Sequence, residues 1–206
     1  FIIGLFIVEG PVKWWLLSGT LLSLLLSWGR NFMSFTNLFL DHVPGYDKFR
    51  AVAMILVIAE FTIPLLAILA VDRMVRDKAL MMGKKGKSVL YSMIGVVGLS
   101  ALIYASPGTF TSFYTQTEYD QVMQSVQGKN VSQDIIDDFF AQLTTAREQI
   151  VKEDAQRTLL FLIVASILIY TYLRFRFNAV YFVFGLLFLT LVDLGMVDAR
   201  YLESDD

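Results

Sequence analysis

Long apolar runs separated by short charged gaps dominate this chain and restrict what it can fold into. Residues 12–28, 51–71, 89–105, 159–173 and 179–192 carry almost no charge. Alone or with its flanks, each is long enough to cross a hydrocarbon core of ~30 Å as a helix of ~20 residues. Inside that layer every backbone N–H and C=O needs an internal partner, which a helix supplies. The expected fold is therefore all-α: a polytopic transmembrane helix bundle.

Composition points the same way. Apolar residues make up 56% of the chain, and the mean hydropathy is +0.59, above what a soluble domain carries. The net charge of −2 says little, because the charges are segregated. With no cysteine, disulfides, thiolate nucleophiles and Cys-based metal sites are excluded. A single histidine, His42, excludes a multi-histidine metal cluster. Neither GxGxxG nor GxxxxGK[ST] occurs, so no soluble nucleotide fold is indicated. No nucleic-acid partner is expected.

The chain opens at Phe1 in an apolar run, 1–8, too short to span, and closes in polar sequence at 203–206. No basic leader or small-residue cleavage site marks a signal peptide. The expectation is an internal or C-terminal piece of a longer membrane polypeptide, whose remainder is then its partner along with membrane lipids.

Cytoplasmic loops are enriched in Lys and Arg. Segment 72–88 holds Arg73, Arg76, Lys78, Lys84, Lys85 and Lys87 against Asp72 and Asp77, and is expected inside. Counting outward, 9–13 is an inside turn, 29–50 an outer loop and 106–157 an outer segment. The turn 175–178, flanked by Arg174 and Arg176, falls inside without being forced there. This gives a multi-pass chain of about five full spans plus one partial one. Three regions follow: transmembrane helices in 1–105, an extracytoplasmic acidic helical hairpin in 106–157, and two transmembrane helices with an outer tail in 158–206. The basic segment reads either as this topology signal or as an anionic-lipid patch.

In 106–157, eight acidic residues (Glu118, Asp120, Asp134, Asp137, Asp138, Glu148, Glu153, Asp154) face four basic ones (Lys129, Arg147, Lys152, Arg157). Ser132, followed by Ile135, Ile136, Phe139, Phe140, Leu143, Ile150 and Val151, predicts an N-capped amphipathic helix. Residues 118–126 predict a shorter helix ending near Gly128. Asp134, Asp137 and Asp138 read as a helix start favoured by the macrodipole, or alternatively as a cation site. Asn130-Val131-Ser132 matches the N-glycosylation sequon.

The outer loop GRNFMSFTNLFLDHVPGYDKFR, 29–50, carries the chemistry worth testing. Phe35, Leu38, Phe39 and Val43 predict one face of a short interfacial helix, and Pro44–Gly45 a turn. Arg50 stands at the entrance to the next span and Arg30 at the matching depth of the preceding one. An Arg there can hold a phosphate bidentately, or it can simply snorkel beside an aromatic belt. Lys48 and Asp47 lie beside Arg50. His42, next to Asp41, is either a general base or a solvated loop residue. Glu60 sits inside a span, where a charged carboxylate costs roughly 2.5–3.5 kcal/mol on insertion scales. Pro64, four residues on, leaves the Glu60 carbonyl without its helical donor and is expected to kink the helix. Glu60 therefore reads as a cavity residue or as a protonated interhelical contact. Asp193 reads as interfacial.

Those motifs have a resemblance. The run GPVKWWLL, then LSWGRNFM, then FLDHVPGYDKFR leading into ILVIAEFTIPLLAILA, with LVDLGMVDARYL near the end, resembles bacterial YfhO-type membrane proteins, most of all Bacteroidetes versions. The resemblance implies a GT-C-like transferase that uses a polyprenyl-phosphate sugar at the outer face to modify a cell-envelope acceptor. It implies a catalytic acid in a first outer loop outside this chain, so the catalytic residue is unknown here. The family's PG-x-x-x-FR element falls on Pro44, Gly45, Phe49 and Arg50, implying a role in placing the lipid-phosphate donor. Ala51-Val52-Ala53 stands where many relatives have a proline. The site expected from residues and resemblance together is Arg50, Arg30 and Lys48 on the donor phosphate. His42, Asp47, Pro44, Gly45 and Glu60 would shape the loop and cavity. No metal site or cofactor is expected within this chain, a divalent cation being an option for the full protein. The rival expectations are a transporter or lipid flippase using Glu60 and the Pro64 kink, and a non-catalytic membrane scaffold using the hairpin.

Overall fold

In a computed structural model of the protein, residues 1–44, 52–78, 83–109, 113–126, 132–175 and 177–202 are described. Every regular element among them is helical. The α-helices are α1 (Ile2–Ile7), α2 (Val12–Ser27), α3 (Met33–His42), α4 (Leu56–Arg76), α5 (Lys84–Ala105), α6 (Gln116–Val126), α7 (Gln133–Arg174) and α8 (Ala179–Leu202). Short 3-10 turns occupy Gly29–Phe32, Val52–Ile55 and Pro107–Thr109. The protein is an all-helical membrane protein. Three stretches, Lys85–Ala105, Gln133–Arg174 and Ala179–Ala199, are long and apolar enough to cross a bilayer.

The helices form two compact units. The first holds Phe1–Ser92 and Tyr172–Val183, the second Met93–Thr171 and Phe184–Asp206. In the first unit α2 packs along α4. The buried positions are Leu16, Thr20, Ser23 and Leu26 on α2 and Ala59, Thr62, Leu66, Ala70 and Met74 on α4. Several are small, which lets two backbones approach closely where lipid is as apolar as leucine and hydrophobicity alone does not pull helices together. Polar atoms bond across the seam. The Thr20 and Thr62 hydroxyls lie 2.7 Å apart, and Thr20 Oγ1 is 2.8 Å from the Leu16 carbonyl. A hydroxyl has one proton, so Thr62 donates to Thr20 and Thr20 to Leu16. Ser23 donates to the Ile55 carbonyl at 2.7 Å, where α4 begins. Helix α1 meets α4 through Gly4, where a Cβ would stand 2.7 Å from Leu66 Cγ and 2.8 Å from its carbonyl oxygen. In the same unit Tyr172 and Phe182, both buried, stack with ring centroids 4.1 Å apart.

The second unit contains α6, most of α7 and the later part of α8. Helix α6 starts at Gln116, two residues before the predicted start, and opens with a capping box. The Thr115 N–H donates to Glu118 Oε2 at 2.9 Å, and the Glu118 N–H donates to Thr115 Oγ1 at 3.2 Å. Two otherwise unpaired amides are thereby satisfied. Tyr114 and Tyr119 pack on buried Phe140 of α7, centroids 4.9 and 5.0 Å away. Helices α7 and α8 meet closely at Gly185, where a Cβ would stand 3.0 Å from Leu168.

One expectation needs revision. The amphipathic helix after Ser132 and the span beginning near Thr158 are one element of 42 residues, about 63 Å long at 1.5 Å per residue. The composition changes from charged to apolar at Thr158, but no Gly or Pro lies between Gln133 and Arg174, so nothing stops the helix. The short helix expected within 29–50 is present as α3. Gly29, with φ +47, redirects the chain after α2, and 29–42 is helical.

Alanine at position 4 must displace Leu66. Overpacking of this kind costs about 1–3 kcal/mol. Thermal unfolding in detergent should show a lower midpoint for Gly4→Ala. Gly98→Ala, with nothing within 4 Å of its Cβ, should be neutral or stabilising.

Candidate functional site

Of the residues expected to hold a donor phosphate, the backbone of Arg30 follows directly after the C-terminal end of α2. Arg30 lies in the 3-10 turn Gly29–Phe32. Gly45, Asp47, Lys48 and Arg50, and the side chain of Arg30, lie outside the described residues. What is described is the scaffold that leads to them. Trp28, Phe32, Phe35 and Phe39 form a row of ring contacts with centroids 6.4, 5.6 and 5.2 Å apart in turn. Residues spaced by three and four on one helix face meet in this way. Buried Thr36 donates to the Gly29 carbonyl at 3.0 Å, tying α3 back to the turn that carries Arg30.

His42 is the last residue of α3, exposed, with Nδ1 3.0 Å from the Leu38 carbonyl. A carbonyl only accepts, so Nδ1 carries the proton, and Nε2 of the neutral ring is left as the acceptor. Pro44 follows, also exposed. Glu60 lies on the exposed side of α4 between Val57 and Phe61, which are 62% and 66% exposed. Its neighbours Ala59 and Thr62 face inward instead. Among the described residues Glu60 makes no hydrogen bond or ion pair, with His42 or any other group.

A second polar cluster occupies the other end of α2, about 24 Å away for 16 residues at 1.5 Å each. The turn between α1 and α2 passes through Gly10 at φ +91 and presents Glu9. Its carboxylate accepts from Lys85 of α5 and from Arg73 Nη2 of α4, the latter at 3.3 Å. Those contacts, with Lys85 first and Arg73 next, hold the Glu9 carboxyl below its ordinary range. Arg73 also pairs with Asp77 at 2.8 Å, while its Nε is buried without a partner. Arg76 pairs with Asp72 at 2.7 Å. Lys78 donates to the Phe175 carbonyl at 3.0 Å and sits 4.3 Å from the centroid of the Tyr172 ring. Glu9 is thus fastened to α4 and α5, and Lys78, just past α4, to Phe175, just past α7. A count of charge along the chain cannot show these partners, because they are 64, 76 and 97 residues apart.

The second unit has its own ion pairs. Arg157 donates through Nε and Nη2 to Asp193 Oδ1 at 3.2 and 2.8 Å, joining α7 to α8. Asp193 is therefore paired as well as near a span end. Arg147 donates to both Glu118 oxygens, at 3.1 and 3.3 Å, and to the Phe113 carbonyl. Asp137 and Asp138 accept from Gln133 and Gln142 one turn away. Among the described residues no group of three or more His, Asp or Glu is placed to hold a metal ion. No protein-family model, curated protein or solved structure matches the chain.

The Glu118 carboxyl is held below the ordinary glutamate range, first by the Arg147 hydrogen bond and then by the Thr115 amide. A group whose folded pKa is depressed stabilises fully above its unfolded pKa, and the effect is lost as pH falls through the folded one. Amide exchange protection of α6, corrected for intrinsic rates, should hold steady from neutral pH to about 4.5 and fall below it. Glu118→Gln should lower protection at neutral pH and flatten the dependence.

Proposed function

We propose that this chain is the membrane-embedded part of a YfhO-type, GT-C-like glycosyltransferase. The enzyme moves a sugar from a polyprenyl-phosphate donor to a cell-envelope acceptor at the outer face of a bacterial inner membrane. The observation that supports this most is the placement of the PG-x-x-x-FR element, Pro44, Gly45, Phe49 and Arg50. In the sequence it follows the aromatic row, and that row starts at the end of α2 remote from the basic cluster. The positive-inside rule puts the basic end in the cytoplasm, which leaves Arg30, His42 and Arg50 outside, where a polyprenyl-phosphate sugar is presented. On this reading the chain has five full spans and a partial one, and α6 with the first turns of α7 forms the outer acidic hairpin.

The chemistry follows from the residue types. The bond between the anomeric carbon and the lipid phosphate breaks, a bond to the acceptor oxygen forms, and the acceptor proton passes to a base elsewhere in the polypeptide. Arg50 and Arg30, with Lys48, hold the phosphate and stabilise the charge it gains on leaving. Their guanidinium forks also fix its orientation. The ring row offers the isoprenoid tail an apolar flank at headgroup depth. His42 and Asp47 line the mouth, Pro44 and Gly45 turn the chain toward Arg50, and Glu60 borders the cavity. A second reading, a transporter or flippase, is favoured by Glu60 on an exposed apolar face one turn before Pro64.

The test is transfer from a radiolabelled polyprenyl-phosphate sugar by the full-length protein. Arg50→Ala, at equal expression, should lose about a hundredfold, equivalent to roughly 2.7 kcal/mol of transition-state stabilisation. Wild-type protein that transfers from no such donor would overturn the transferase reading in favour of Glu60-dependent transport.

A further inference from the structure

The Glu9 end of the first unit is short of negative charge. Arg73 and Lys85 share one carboxylate, Glu9, that is itself 63% exposed, and nearby Lys13 donates to the Leu5 carbonyl at 3.2 Å. Arg73 and Lys85 contact Glu9, and Lys13 adds a weaker attraction. Arg73 shares Asp77 as well, and Asp72 is taken by Arg76. Helix α5 adds to the imbalance. Lys84, Lys85 and Lys87 stand at its start, and its first turn has no acidic residue. Cations there oppose the positive end of the helix dipole, which favours an anion.

The same end carries a marker of depth. Trp14 and Trp15 are 61% and 77% exposed, and Lys13 Nζ lies 5.3 Å from the centroid of the Trp14 ring. Adjacent exposed tryptophans beside a lysine at the start of an apolar helix mark the headgroup layer. An anion met at that depth is the phosphodiester of a phospholipid.

We infer that this end of the first unit binds an anionic phospholipid headgroup, with Lys13, Arg73 and Lys85 on its phosphate and Glu9 as the built-in counter-ion that the phosphate competes with. The lysines supply point charges and Arg73 a planar donor. Glu9 keeps the cations soluble together when no lipid is bound and limits affinity when one is. The site is independent of the transferase reading, since it lies at the opposite end of α2.

The tryptophans report on it directly. The full-length protein in nanodiscs is titrated with phosphatidylglycerol brominated in its acyl chains, and in parallel with brominated phosphatidylcholine. A Trp14→Phe, Trp15→Phe variant supplies the background. Phosphatidylglycerol should quench at the lower mole fraction. Each cation removed near a membrane surface weakens attraction about fivefold, so Lys85→Gln should raise the half-quenching fraction by about that factor, and Lys13→Gln with it further. Glu9→Gln should move it the opposite way, and that variant alone decides the matter if Lys85→Gln does not fold. Equal quenching by both lipids in the wild type, or a Glu9→Gln protein with unchanged or weaker preference, overturns the inference. Loss of the preference on adding inorganic phosphate at constant ionic strength reassigns the site to a soluble phosphate and overturns the lipid assignment.

Discussion

Hydrocarbon offers a backbone amide no hydrogen-bond partner, and the rest of this structure follows from that. The apolar stretches become helices because a helix satisfies its own backbone. Once they are helices, apolar surface no longer selects which faces meet, since lipid and leucine are alike to a neighbour. Selection falls to shape and to the few polar atoms. In the first unit it falls to Thr20, Thr62 and Ser23, whose hydroxyls bond across or into the α2–α4 seam, and to Gly4, where only a hydrogen fits against Leu66.

The same constraint divides the polar chemistry between two ends. At one, Glu9 is fastened to Arg73 and Lys85, and Lys78 to the Phe175 carbonyl. At the other, a row of rings from Trp28 to Phe39 runs along α3 toward His42 and the Pro-Gly turn. Among the described residues one end is rich in cations with few acids, the other in aromatics. Glu60 belongs to neither cluster. It stands on the exposed face of α4 among apolar neighbours, where a carboxylate needs either a proton or a further partner.

Much of the secondary structure was legible because its signals are local. Helices near 12–28, 89–105 and 179–192 announce themselves by length of apolar run, and α3 and α6 by short-range periodicity. The capping box Thr115-Gln-Thr-Glu118 was also there to be read, since both partners lie within four residues. The false break at Thr158 came from treating a change in polarity as an end of helix. Helix ends are made by unsatisfied amides, glycine and proline, and none intervenes. The small-residue seam on α2 was overlooked because serines and threonines in an apolar run look like dilution rather than contact.

The sequence by itself determined that this chain is helical and that it belongs in a bilayer, because both depend on transfer energies summed along the chain. It also named Arg30, His42, Lys48, Arg50 and Glu60 as chemistry worth testing. Only the tertiary structure decided which groups are partners: Glu9 with Arg73 and Lys85, Arg157 with Asp193, Thr20 with Thr62. It alone also decided that Glu60 turns away from α2. Those choices depend on which faces of distant helices meet, and contact between residues tens of positions apart is set by packing, not by composition.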